Sequence, residues 1–157
     1  MAYQKLNTSR AYKVIPSDNA PIPEIMLKDG SGTVGAVNGN TITDNTQNFR
    51  TMGVKRGMVV VNTTSGASAI VESLVVSGNN TLVLNAAIFS VGNTYQIYGG
   101  QNNGAVLYVG TAGNVRVLTA GGDDVNFIGV LDGSFIPVNC IKVFDTDTTA
   151  SNILALW

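Results

Sequence analysis

Histidine is absent from the 157 residues. That absence removes the side chain most often used as a general base near neutral pH, and the commonest metal ligand. Ser-His-Asp and Cys-His nucleophilic mechanisms and histidine-built zinc hydrolysis are excluded with it. Cysteine occurs once, so no disulfide can form within the chain. Cys140 sits in the apolar run from Val138 to Phe144, where a small buried hydrophobe belongs. Charge is scarce: 12% of residues are Asp, Glu, Lys or Arg, nine basic against ten acidic. Such a balance leaves no electrostatic footprint for nucleic acid or for an anionic membrane surface. No run reaches the roughly eighteen apolar residues of a membrane-spanning helix. The opening MAYQKLNTSR also lacks the apolar stretch of a secretory signal, so the chain is expected to be soluble and made without one.

What fills the space is Gly, Asn, Thr and Val. Val and Thr suit a pleated surface, whereas Gly and Asn accept the positive φ that tight hairpins demand. Short apolar runs are separated by turn clusters roughly every eight to twelve residues, the pattern of an all-β sandwich or barrel. The expected fold is an antiparallel β-sandwich, jelly-roll-like, with an inserted small β-barrel module and an extended N-terminal arm. Residues 1–32 form the arm, because they hold Pro16, Pro21 and Pro23 and proline cannot donate to a ladder. One strand is expected there, at Ala11 to Ile15. Residues 33–99 form the module, with strands at TVGAV, TIT, GMVVVN, ASAIVESLVV, NTLVLN and TYQIY, and one helical turn around Phe49 to Val54.

Residues 100–157 complete the main sandwich with AVLYVG, NVRVLT, DVNFIGV, SFIPVNCIKVF and SNILALW. In the long SFIPVNCIKVF strand, Ile136, Val138 and Cys140 share a face, but Val143 falls out of phase. A bulge near Cys140 is expected to restore it. SNILALW is apolar on both faces, so it is expected to lie centrally or beneath a neighbouring subunit.

Four motifs invite chemistry. TAGGDD resembles the aspartate-bearing hairpin of a polymerase, but the chain is too short for a polymerase palm and has no second carboxylate cluster for two metals. A three-residue loop of Gly121, Gly122 and Asp123 accounts for it structurally, setting Val117 opposite Phe127 and starting a polar face at Asp124. DTDTTAS begins like a calcium loop, yet Ala150 stands where the loop needs glycine and Leu156 where it needs a bidentate glutamate. GSGTVG, residues 30–35, matches a dinucleotide fingerprint in letters only, because a turn-rich stretch follows it where a helix is required. It is expected to be a flexible join. The Asn-x-Ser/Thr triplets at Asn7, Asn62 and Asn79 are expected to occur by chance in an Asn/Thr-rich chain. No catalytic residue, metal site or cofactor is assigned.

Several stretches occur together in order: Leu107-Tyr108-Val109-Gly110-Thr111, Thr119-Ala120-Gly121-Gly122-Asp123, Gly133-Ser134-Phe135-Ile136-Pro137-Val138, and Thr148-Thr149-Ala150-Ser151 followed by Ile153 to Trp157. The region holding them resembles the C-terminal part of small virion proteins of tailed bacteriophages and gene transfer agents, of the head-decoration, cement or spike-base type. YQKLNTSRAYKVIPSDNAPIP is similar to the start of such proteins, and GVKRGMVVVNTTSGASAIV to a module of other phage structural proteins. The resemblance implies a structural, non-enzymatic role as a homotrimer on a capsid surface, with the major capsid protein as partner. It implies no nucleic acid or membrane partner and no catalytic residues.

On that reading Tyr3, Tyr12 and Ile15 anchor the arm on a neighbouring subunit. Lys55 and Arg56 meet an acidic partner surface, and a neighbouring subunit covers the last strand at Leu154 and Leu156 on one face and Trp157 on the other. The alternative is a spike-base or tail-associated protein that supports a fibre or binds host-surface carbohydrate. Its sugar shelf would comprise Tyr95, Tyr98, Gln101, Asn102 and Asn103.

Overall fold

The computed structural model describes residues 8–23, 25–74, 78–99 and 103–157, with the backbone only at positions 25 and 28. Every regular element among them is a strand, and the strands form two antiparallel sheets. The chain divides into two compact units. One combines residues 1–18 with 102–157, and the other is the continuous stretch 19–101. Composition alone shifts at 32/33 and 99/100.

The first unit holds β1 (Ala11–Lys13), β9 (Ala105–Thr111), β10 (Gly113–Thr119), β11 (Asp124–Val130), β12 (Ser134–Val143) and β13 (Ser151–Leu156), in the sheet order β1-β13-β9-β12-β10-β11. Apolar residues recur at every second position of β9, β10 and β13, and these are the ones that bury: Ala105, Leu107 and Val109, Val115 and Val117, Ile153 and Ala155. Period two puts them all on one face. At Cys140, β12 changes partners, pairing Ala105 of β9 on one side and Thr119 of β10 on the other. Towards its start it follows β9, and towards its end β10.

Two irregularities allow that change. Opposite Leu118 and Thr119 stand Lys142 and Cys140, so Ile141 is an extra residue. The bulge brings Val143 back to the buried face with Cys140, as its phase required. Between Ile136 and Cys140, three residues oppose the single Val106. This second irregularity, at Pro137, turns Val138 outward to 38% exposure, so Val138 does not share the buried face of Ile136 and Cys140.

The hairpin between β10 and β11 also differs from expectation. Thr119 N donates to Asp123 O at 2.9 Å, and Gly122 N to Thr119 O at 3.0 Å, so the loop is Ala120, Gly121 and Gly122. Asp123 closes the ladder rather than lying in the loop, and Val117 faces Val125 rather than Phe127. The physical reason is the third loop position, which must be left-handed; Gly122 has φ 92° and fills it. A shift of two residues preserves the faces, so Val115, Val117, Val125 and Phe127 still share one side.

The second unit holds β2 (Ile25–Thr33), β3 (Ala36–Asn38), β4 (Thr41–Thr43), β5 (Val59–Asn62), β6 (Ser68–Leu74), β7 (Thr81–Leu84) and β8 (Thr94–Gly99), in the order β2-β8-β5-β6-β7-β4-β3. Among the described residues no ladder joins the end strands β2 and β3, so the sheet is open and no closed barrel is formed. Its core gathers Val34, Ile42, Phe49, Val60, Val71, Leu82, Leu84, Tyr95 and Ile97. The helical turn expected near Phe49 is a set of hydrogen-bonded turns. Asn48 Oδ1 caps it by accepting from Thr51 N, and Gly53, at φ 81°, ends it.

β2 is the main departure from the sequence reading. Residues 30–33, expected to be a flexible join, continue a strand in which Ser31, Gly32 and Thr33 pair with Gln96, Tyr95 and Thr94. Gly32 is needed because a Cβ there would overlap the Tyr95 hydroxyl and the Asp44 carboxylate. The glycine reads as a turn signal, but it makes room for a side-chain hydrogen bond.

Candidate functional site

The residues singled out from the sequence fall on both units, and some lie outside the described residues. Tyr3 lies outside the described residues, as do Asn7, Gln101 and Asn102. Tyr12, Ile15, Leu154, Leu156 and Trp157 belong to the first unit, and Lys55 and Arg56 to an exposed turn of the second.

In the first unit, cross-strand partners share a face, so the registers define a surface. Lys13, Leu154, Tyr108 and Phe135 form one row across β1, β13, β9 and β12. Ala11, Leu156 and Val106 form the next row. The row between them, Tyr12, Ala155, Leu107 and Ile136, points to the buried side. Apart from Lys13 at the β1 end, these rows are aliphatic and aromatic, with Phe135 53% exposed and its ring edge-on to Tyr108 at a centroid distance of 5.4 Å. Leu154 and Leu156 sit in this face. Tyr12 is half-buried and lies on the opposite side of β1 from this face.

Trp157 lies at the rim. Its backbone is bonded to Ser9 and Arg10, and the Arg10 guanidinium stacks 4.9 Å over its ring and 5.7 Å from that of Tyr12. Trp157 Nε1 and Arg10 Nη1 are buried without a hydrogen-bond partner among the described residues. Ile15 is 39% exposed and lines a cleft of about 240 Å³ with Lys13, Val14, Pro16, Asn152 and Ile153. Beyond β1, residues 14–17 stay on the first unit, with Val14 N bonded to Ile153 O and Ser17 N to Val143 O, both at 2.9 Å.

The acidic motifs spend their oxygens on the protein. Arg116 grips Asp124 through Nε at 2.9 Å and Nη2 at 2.8 Å, and reaches Asp147 at 3.4 Å. The guanidinium holds the Asp124 carboxyl below the usual carboxylate range. Asp123 instead interacts with Thr119, so the neighbouring aspartates do not converge. In the DTDTTAS loop, Thr148 Oγ1 accepts from Arg116 N and Thr149 Oγ1 from Asn114 N. Thr146 donates both its hydroxyl and its amide to Asp18. Among the described residues no three His, Cys, Asp or Glu side chains gather in a way that could hold a metal ion. Cys140 is fully buried, and burial pushes its thiol up to about 12.

The sugar shelf loses its centre, because Tyr95 is a core residue of the second unit. The second unit also carries polar features that the sequence reading missed. Buried Asp44 accepts from Tyr95 OH at 2.8 Å, Thr46 Oγ1 at 2.6 Å, Thr46 N at 2.9 Å and Thr33 N at 3.2 Å. Burial pushes the carboxyl up, but these donors together outweigh it and hold the group below its ordinary value. Asn62, also fully buried, donates to Ile88 O and Asn93 Oδ1 and accepts from Thr64 N and Ser65 N. A saturated, enclosed amide is unavailable as a glycan acceptor. The short spacings Asp44-Thr46 and Asn62-Thr64 are the signal for both, since Asx side chains bond the backbone two residues on.

Comparison with known proteins finds no matching family model, no matching curated protein and no matching solved structure.

Proposed function

We propose that the chain is a non-enzymatic structural protein of a tailed-phage or gene transfer agent virion, decorating or cementing the capsid by bridging neighbouring subunits of the major capsid protein. The observation that carries this reading is the outer face of Val106, Tyr108, Phe135, Leu154 and Leu156, two adjoining apolar rows in which Phe135 is exposed and the other four are half-buried, with Lys13 at the edge. Such a face suits burial against another protein. The stretches that resemble virion proteins overlap it, since LYVGT and GSFIPV supply Tyr108 and Phe135. On this reading the first unit is a jelly-roll-like β-sandwich, with β12 passing from one layer to the other at Cys140. The second unit is the inserted module, a strongly curved sheet whose end strands β2 and β3 are linked through Val34 and Gly35. The proposed assembly is a homotrimer on the capsid surface.

The test is binding of the purified chain to capsids assembled without it. Phe135→Glu and Leu154→Glu should each abolish co-sedimentation while leaving the circular dichroism and melting temperature near wild type. Lys55→Glu with Arg56→Glu should weaken binding if that basic turn meets an acidic capsid surface. Undiminished binding by both outer-face variants would remove this face as the contact.

A further inference from the structure

We propose that β11 is a self-association edge, where two copies of the chain join their sheets antiparallel about a twofold axis through Asn126. β11 is seven residues long and, among the described residues, ends its sheet, bonded on one side only, to β10. The other open edges are blunted. β1 and β3 are three residues each, Asp29 at φ 59° breaks the run of β2, and Pro137 interrupts the first half of β12. β11 has no proline, and its one charge, Asp124, is neutralised by Arg116. Natural sheets rarely leave such an edge unguarded unless something pairs with it.

The core is also incomplete there. Val125 and Phe127 point to the same side as Val115 and Val117. Val115 and Val117 are fully buried, whereas Val125 is 36% exposed and Phe127 only half-buried. An added strand would cover them and close the core on that side.

Backbone geometry fixes which register fits. The Thr119 N to Asp123 O bond starts the ladder, so Asp123, Val125 and Phe127 turn their amides and carbonyls towards β10. The bond from Phe144 N to Arg116 O, on the far side of β10, confirms the alternation. Asp124, Asn126 and Ile128 therefore present their N–H and C=O groups to the open edge. Centring a second β11 on Asn126 pairs Asn126 with itself and Asp124 with Ile128, the positions whose backbone groups are available. Val125 then stands beside the other copy's Phe127 on the uncovered side, and each shields the other. No like charges meet, because each Asp124 faces an isoleucine. Gly129, at φ 64°, ends the regular edge and keeps the contact short.

The occupant is a second copy because this five-residue segment is its own complement in hydrogen bonding, side-chain size and charge. The contact is isologous, so it closes on itself instead of propagating. It needs no capsid and is separate from any threefold contact.

The experiment is the mass in solution of the full chain, by light scattering across a concentration series, with folding checked by circular dichroism. Asn126→Asp and Asn126→Lys each place like charges opposite one another at about 5.5 Å across the axis. Wild type should have twice the mass of either variant, and an equimolar mixture of the two variants should return to the wild-type mass. A wild type with the same mass as both variants overturns the proposal, as does a mixture that stays at the variants' mass.

Discussion

The Tyr95 hydroxyl donates to Asp44 Oδ2 at 2.8 Å inside the second unit, and the space for that bond is the missing side chain of Gly32. Three residues from β2, β8 and the turn after β4 thus form one structural element. A bond to a buried, charged acceptor contributes roughly 1.5–3 kcal/mol. Tyr95→Phe should lower stability by about that amount in urea unfolding. Gly32→Ala should cost at least as much, and the double variant should cost less than the sum, because both act on the same bond.

Acid should loosen the same network. The Asp44 carboxyl is held below its ordinary 3.8 in the fold. Its contribution is therefore complete above the ordinary value and is lost as pH falls through it and below. Asp18, lowered mainly by the Thr146 hydroxyl, and Asp124, lowered by Arg116, titrate in the same direction. The melting temperature should be flat near neutrality and fall below about pH 4. Asp44→Asn should start lower and show a shallower acid limb; parallel curves would show that this carboxylate is not responsible.

The hairpin loop separates its two glycines. Gly122 is left-handed at φ 92°, while Gly121 has no positive φ. Gly122→Val should cost on the order of 1–3 kcal/mol, whereas Gly121→Ala should cost less in the same thermal melts. Asp124→Asn, at an exposed ion pair, should leave the melt close to wild type.

Cys140 offers a clean probe of opening. Its thiol is enclosed and pushed up to about 12 by burial. A thiol reagent at pH 8 should leave it unmodified in the native protein and label it fully in denaturant. Rapid native labelling would show that the β12 crossing opens readily.

Residues 19–101 have their own core, so that stretch made by itself should melt cooperatively and give dispersed amide resonances. A molten profile would mean that its stability is borrowed from the rest of the chain.

How much of this was readable in the sequence follows from what each signal encodes. Alternation in AVLYVGT and NVRVLT located β9 and β10 and their buried faces, since period two is a property of the strand itself. The bulge at Ile141 was visible as a phase slip. β2 was not visible, because Gly30 and Gly32 spell a turn unless one knows that Tyr95 will need the space. The β10–β11 register was right in face and wrong by two residues, because apolar matching fixes parity while the left-handed position fixes the offset. Leu154 and Leu156 stood out through a strand apolar on both sides. The open edge of β11 did not, since nothing within a strand tells which strand ends a sheet. Aromaticity alone makes Tyr95 a candidate for a surface shelf, although aromatics fill cores as readily.

The pairing of β1 with β13 has a consequence for synthesis. β9 and β1 both need β13 as a neighbour, and β13 leaves the ribosome after the whole of residues 19–101. The continuous unit can fold while translation proceeds, but the discontinuous one must hold β1 unpaired until the last strand arrives. Protease protection of stalled nascent chains should therefore appear first within residues 19–101, and within the flanking unit only once β13 is clear of the exit tunnel.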